Sequence, residues 1–196
     1  EEAYRSAIQS DPNNAQANLG LGRCMLAIGN LPQALTSFQE TVRIDPDFEL
    51  GHLEQVNLLW NTGKTDEAMA AVNQFKELNP ELGGILHASL IRRSGDITQS
   101  LSLLKNLRTT HPQSTQVLTH YAGALLASGD PKAATSEIQS LLNDENSNSI
   151  GTRMLHVEAS HAQGNLDTLI TELEENEAES SDEAMILAYA LIRGDR

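Results

Sequence analysis

The chain has a single cysteine, Cys24, a single tryptophan, Trp60, and only 4% aromatic residues in 196. One thiol excludes an intrachain disulfide and any metal site built from several thiolates, and it leaves the redox compartment open. Basic residues are also few: 13 Lys and Arg stand against 27 Asp and Glu, a formal net charge of -14. That balance opposes the phosphate neutralisation on which nucleic-acid affinity rests, and the attraction to anionic lipid that basic residues supply. The acids divide almost evenly, 13 up to Asp96 and 14 beyond it, so no acidic tail carries the charge. No apolar run approaches the roughly 20 residues of a membrane-spanning helix. The opening Glu1-Glu2-Ala3-Tyr4-Arg5 lacks the basic region and the apolar run of a signal peptide. These absences predict a soluble chain, cytoplasmic or bacterial periplasmic, with no nucleic-acid partner and no direct membrane insertion.

What the sequence does have is periodicity. A glycine followed by a polar residue recurs at Gly29-Asn30, Gly63-Lys64, Gly95-Asp96, Gly129-Asp130, Gly164-Asn165 and Gly194-Asp195, with spacings of 34, 32, 34, 35 and 30. A second series, Pro12, Pro46, Pro80 and Pro112, is spaced by 34, 34 and 32 and falls midway between the glycines. Two marks per period imply two elements per period. Between them apolar residues recur at three and four, as in Leu101, Leu104 and Leu107 or Ala184, Leu187, Ala188 and Leu191, which is the helical period and not strand alternation. Glycine supplies a left-handed residue that ends one helix, and Asn30, Asp96, Asp130 and Asn165 are placed to cap the next. Pro32 and Pro131 suit a first helical turn, while each proline of the second series stops a second helix.

This unit resembles the tetratricopeptide repeat family. Its pattern reads Leu21-Gly22, Met25, Gly29, Ala34, Phe38 and Pro46 in the first full period. It returns as Gly63, Ala68 and Pro80, as Ala88, Ile91, Gly95, Leu104 and Pro112, as Tyr121-Ala122, Leu125, Gly129 and Ala134, and as Leu187-Ala188, Leu191 and Gly194. Small residues at Gly22, Ala88, Ala122 and Ala188 let backbones approach where helix pairs cross. Departures are Gln55-Val56 in place of Leu-Gly, a third period two residues short, and a fifth with neither the preceding proline nor a clear Leu-Gly pair. The resemblance implies an all-α superhelix of antiparallel helix pairs over residues 1–196. Residues 1–13 would be the second helix of a truncated repeat, 14–47, 48–81, 82–113, 114–147 and 148–180 successive pairs, and 181–196 the first helix of another truncated repeat. Ends out of phase in this way suggest a fragment of a longer array, or end helices completed by a second copy. The apolar last helix, with Met185, Ile186, Leu187, Leu191 and Ile192, predicts self-association.

In this family the first helix of each pair lines a concave groove that holds a peptide. Period by period, the resemblance implies a groove row of Arg23, Asn57, Ser89 and Gly123, a row one turn later of Leu26, Trp60, Arg92 and Leu126, and a row one turn earlier of Gly20, Glu54, Leu86 and His120. Trp60 would be an aromatic anchor, Arg23 and Arg92 cationic sites, and Asn57 a partner for peptide backbone; the expected partner-binding set is Arg23, Glu54, Asn57, Trp60, Ser89, Arg92, Arg93 and His120. Chaperone-adaptor members hold a C-terminal carboxylate with Lys, Asn and Arg on successive first helices. Asn57 matches that set in kind and Arg92 and Arg93 offer charge, but Gly20 and His120 do not fit. The same residues read equally as an ordinary solvated face.

Arg92, Arg93, Lys105 and Arg108 form the one basic island, with Asp96 the only acid between Gly83 and Pro112. It would meet an acidic partner segment through bidentate arginine pairing, or simply offset a helix dipole. The run from Glu172 to Glu183 holds seven acids without the ligand spacing of a calcium loop. His156 and His161, five apart, do not share a helix face, and Cys24 reads as a packed thiol with no base beside it. With no phosphate-cradling loop, serine elbow or paired carboxylates, the sequence predicts no catalytic residue, no metal and no cofactor. It predicts a protein-interaction scaffold for an extended or helical segment, or domain, of a partner protein. The alternative is an accessory region of a larger enzyme or of a bacterial envelope or exopolysaccharide export protein.

Overall fold

Left-handed glycines end the first helix of five pairs: Gly29, Gly63, Gly95, Gly129 and Gly164 all have φ between 75° and 97°. The sixth of the series departs. Gly194 has φ -89° and the left-handed residue is Asp195, at φ 56°, a conformation that Asp tolerates better than most side chains. The computed structural model describes residues 1–143, 149–175 and 180–195. Glu177 and Glu179 of the acidic run, Arg196, and the boundary between 147 and 148 lie outside the described residues. Among those described, the chain forms twelve α-helices and no strand. They fall into two compact units, Glu1–Leu90 and Ile91–Arg196, divided within one helix.

The first unit runs α1 (Glu2–Ser10), α2 (Ala15–Ala27), α3 (Leu31–Ile44), α4 (Glu49–Asn61), α5 (Thr65–Leu78) and most of α6 (Pro80–Arg93). Asn14 and Asn30 cap α2 and α3, their side chains accepting from the N–H of Ala17 and Gln33. Pro12 and Pro46 sit in turns. Pro80 instead opens α6 directly, with Asn79 alone between two helices and its side chain accepting from the Leu82 N–H at 3.0 Å. Proline ends α5 and starts α6 because a first-turn residue needs no N–H donor. α2, α3 and α4 bury Leu19, Leu21, Met25, Ala34, Phe38 and Leu58 together; Val56, Leu59, Ala68, Val72, Phe75, Leu86 and Leu90 form a second cluster across α4, α5 and α6. Gly22 is required at the α2–α3 crossing, since a Cβ there would lie 2.5 Å from the fully buried Phe38 ring.

The second unit comprises the end of α6, then α7 (Ile97–Thr110), α8 (Thr115–Ala127), α9 (Pro131–Leu142), α10 (Ile150–Gln163), α11 (Leu166–Glu175) and α12 (Ser181–Arg193). Asp96, Ser114, Asp130 and Ser149 cap four of these, and Ser180 with Glu183 forms a reciprocal capping box on α12. From α7 to α12 each helix meets its neighbour in sequence, and the first helices of successive pairs also touch, α8 with α10 and α10 with α12. Ala122, Leu125, Ala134, Ile138 and Ala159 form one core cluster; Val157, Leu166, Leu169, Ile170, Ile186 and Ala190 form the next.

Candidate interaction surface

In the first unit the structure brings two of the expected partner-binding residues into direct contact. Arg23 on α2 donates from Nε to a carboxylate oxygen of Glu54 on α4 at 2.8 Å. The pair joins the first helices of neighbouring repeats, with the arginine side chain 48% exposed and the carboxylate 22%. Asn57 lies one turn beyond Glu54 and is half-buried. Trp60, also half-buried, leans on the cluster of Val56, Leu59 and Val72 and so is partly committed to the core. Ser89 is half-buried on α6.

α4 exposes apolar side chains that period arithmetic did not select. Val56, Leu58 and Leu59 are buried, yet Leu50 is 43% and Leu53 41% exposed. Leu50, Leu53, Asn57 and Trp60 follow steps of three, four and three, which places them along one side of the helix. α4 is therefore apolar on two sides, and the neighbouring helices cover one. Leu26, one turn beyond Arg23 on α2, is 38% exposed. The leucines were missed because an apolar residue at helical spacing reads as core; the signal for them was that α4 has more leucine than one buried stripe can use.

Beneath this face, His52 on α4 stacks on Phe75 with ring centroids 4.1 Å apart, and its Nε2 donates to the Pro46 carbonyl at 2.8 Å. Burial lowers its pKa, opposed by the Pro46 carbonyl and by Asp47 and Asp45. His87 on α6 has a buried Nδ1 with no hydrogen-bond partner, and burial, then Lys76, lowers its pKa.

In the second unit Arg92 and Arg93 are exposed in the last turn of α6. His120 reaches solvent on α8, and its pKa is lowered by desolvation first and by Arg92 second. Arg108 of the basic island is engaged by the fold: it donates to Glu137 of α9 at 3.1 Å and to the Pro112 carbonyl at 3.2 Å. A further network was not foreseen. Glu158 on α10 accepts from the Tyr189 hydroxyl and from both Nε and an Nη of Arg193 on α12, the arginine contacts at 2.9 and 3.1 Å. Its pKa is lowered by Arg193 first, against the opposing effect of burial. Glu158 lies six residues before Gly164, as Arg23 lies before Gly29, so extending the groove row by one period would have found it. Among the described residues no group of three or more His, Cys, Asp or Glu could hold a metal ion, and no helix is long and apolar enough to cross a membrane.

Helix pairs repeated at this period and stacked first helix on first helix define an α-helical repeat protein of the scaffold class. A family model described as tetratricopeptide repeat matches residues 1–55 and 92–151, more than half of the sequence, and the chain belongs to that family. The human DnaJ homolog subfamily C member 3 is 22% identical over 162 residues, covering 74% of this chain and 32% of that protein. The STIP1 homolog of Dictyostelium discoideum is 25% identical over 79 residues, covering 40% of this chain and 14% of that protein. The chain thus spans a third or less of the length of these relatives. Yeast Tom70 superposes with a TM-score of 0.75 at 16% identity, over 98% of this chain and 42% of its own, a likeness of fold. Tetratricopeptide repeat proteins are in general non-catalytic scaffolds that bind other proteins.

Proposed function

We propose that this chain holds an extended or helical segment of a partner protein on the face of its first helices, with Leu50, Leu53, Asn57 and Trp60 of α4 beside the Arg23–Glu54 pair as the contact. The observation that carries this reading is the second apolar side of α4, because exposed leucines in a row are retained at a cost in solubility that a partner relieves. A few central side chains would carry most of the affinity. Arg92, Arg93 and His120 belong to the second unit and would contribute a separate polar contact.

The test compares protein captured by the parent chain, by a Leu50→Ser, Leu53→Ser variant, and by Ile28→Ser, which removes an exposed apolar residue from the α2–α3 turn. Loss with the first variant alone supports the reading; equal capture by all three moves the contact off α4. A second reading, self-association, is favoured by Ile192, 74% exposed on α12, and Met185, 47% exposed. Mass by light scattering over a range of concentrations tests it: a constant single-chain mass removes it.

A further inference from the structure

Resting on that reading of the α4 face, we infer that its partner is a cationic amphipathic helix: a segment with an apolar row at steps of three and four, flanked by Lys or Arg. Two observations carry this, one geometric and one electrostatic.

The geometric one is spacing. Leu50, Leu53, Asn57 and Trp60 succeed one another at about 4.5 to 6 Å along α4, given a rise of about 1.5 Å per residue. The ridges of a second helix, built on the same three and four residue steps, fall into the gaps of such a row. Same-side residues of an extended strand are about 6.6 to 6.8 Å apart and run out of register within two contacts.

The electrostatic observation is a local surplus of negative charge. Residues 1–90 hold 12 acids and 5 Lys and Arg. Four of those cations are already engaged by acids of the same unit: Arg5 by Glu1, Arg23 by Glu54, Arg43 by Glu40 and Lys64 by Glu67. Asp45, Asp47 and Glu49, all exposed, gather at the head of α4 just before Leu50. Arg43, the nearest cation in sequence, points its Nε to Glu40 at 2.7 Å. A partner with Lys or Arg at that end of its apolar row meets acids there, and an acidic one is repelled. Arg23 and Glu54 neutralise one another at 2.8 Å, which leaves the charge selection to the head of the helix.

Trp60, the single tryptophan, stands at the end of the row and reports on it directly by its fluorescence. Three synthetic peptides of about 18 residues, long enough to form a helix, serve as probes on the full chain: a leucine row with Lys flanks, the same row with Glu flanks, and the Lys peptide with two central prolines that break the helix. The Lys helix is expected to shift Trp60 emission and to bind about tenfold tighter than the other two, with its lead over the Glu peptide shrinking as salt is raised. Asp47→Asn with Glu49→Gln should erase the preference for Lys over Glu and keep the binding. Leu53→Ser should weaken the Lys peptide about tenfold.

No binding of the Lys helix, or equal or stronger binding of the Glu peptide, overturns the proposal. Equal binding of the proline-broken peptide overturns the helical occupant. Binding indifferent to Leu50→Ser with Leu53→Ser, in a variant of unchanged helical circular dichroism, overturns the reading of the α4 face itself, an outcome distinct from failure of the charge preference.

Discussion

Arg23 and Glu54, thirty-one residues apart in sequence and on different helices, form a 2.8 Å ion pair that joins α2 to α4. The repeat phase assigns both to a partner, and each meets the other first. Any partner that uses Arg23 must compete with Glu54 or accept the pair as one polar element.

The arginine is about half exposed, so solvent discounts the pair. A double-mutant cycle with Arg23→Ala and Glu54→Ala, read by urea unfolding, is expected to return a coupling of about 0.5 kcal/mol that shrinks with salt. Additive single effects would mean that the pair contributes no coupling.

Gly22 sits where a side chain has no room. Gly22→Ala is expected to cost about 1–3 kcal/mol, since a methyl 2.5 Å from the Phe38 ring displaces a fully buried side chain. The loss should appear as a lower urea midpoint. Gly123→Ala, whose Cβ would come no closer than 3.9 Å to Leu155, should fold as well as the parent or better.

Acid should weaken the chain before its carboxylates titrate. His52, His87 and His156 all have folded pKa values below the usual 6.5, each chiefly through burial. A depressed pKa favours the neutral ring in the folded state, so that contribution is whole above about 6.5 and is lost as pH falls from there through the folded values. Urea midpoints are expected to hold above about pH 6.5 and to drop as pH falls below it. His87→Leu should flatten that slope and, by removing the unpartnered Nδ1, raise stability by about 1 kcal/mol at neutral pH.

Glu158 acts lower on the scale. Its pKa is depressed below the ordinary 4.5 by Arg193 above all, so its contribution is present above 4.5 and is lost in more acid solution. It also raises the pKa of Tyr189 through their hydrogen bond. Glu158→Gln is expected to move one tyrosine back toward the ordinary value near 10 in an ultraviolet titration; an unchanged curve would show that Glu158 does not perturb Tyr189.

The repeat was legible in the sequence because its signals are local. A left-handed residue wants glycine, a first turn wants Asn, Asp or Ser before it, and that first turn tolerates proline; Gly29, Asn30 and Pro32 state all three within four positions. The candidate site was legible only in part. Phase placed Arg23, Glu54, Asn57 and Trp60 on first helices, but phase has no way to show that Arg23 turns to Glu54, that Trp60 leans inward, or that Leu50 and Leu53 turn outward.

Backbone preferences within a few residues were enough to set the helices, their period, the family and most of the turns, Gly194 and Pro80 being the departures. Packing between helices settled which apolar residues are covered, which charges pair with neighbouring repeats, and how closely Phe38 presses on Gly22. Those outcomes depend on the distance between helices about thirty residues apart in the chain, and a linear pattern does not contain that distance.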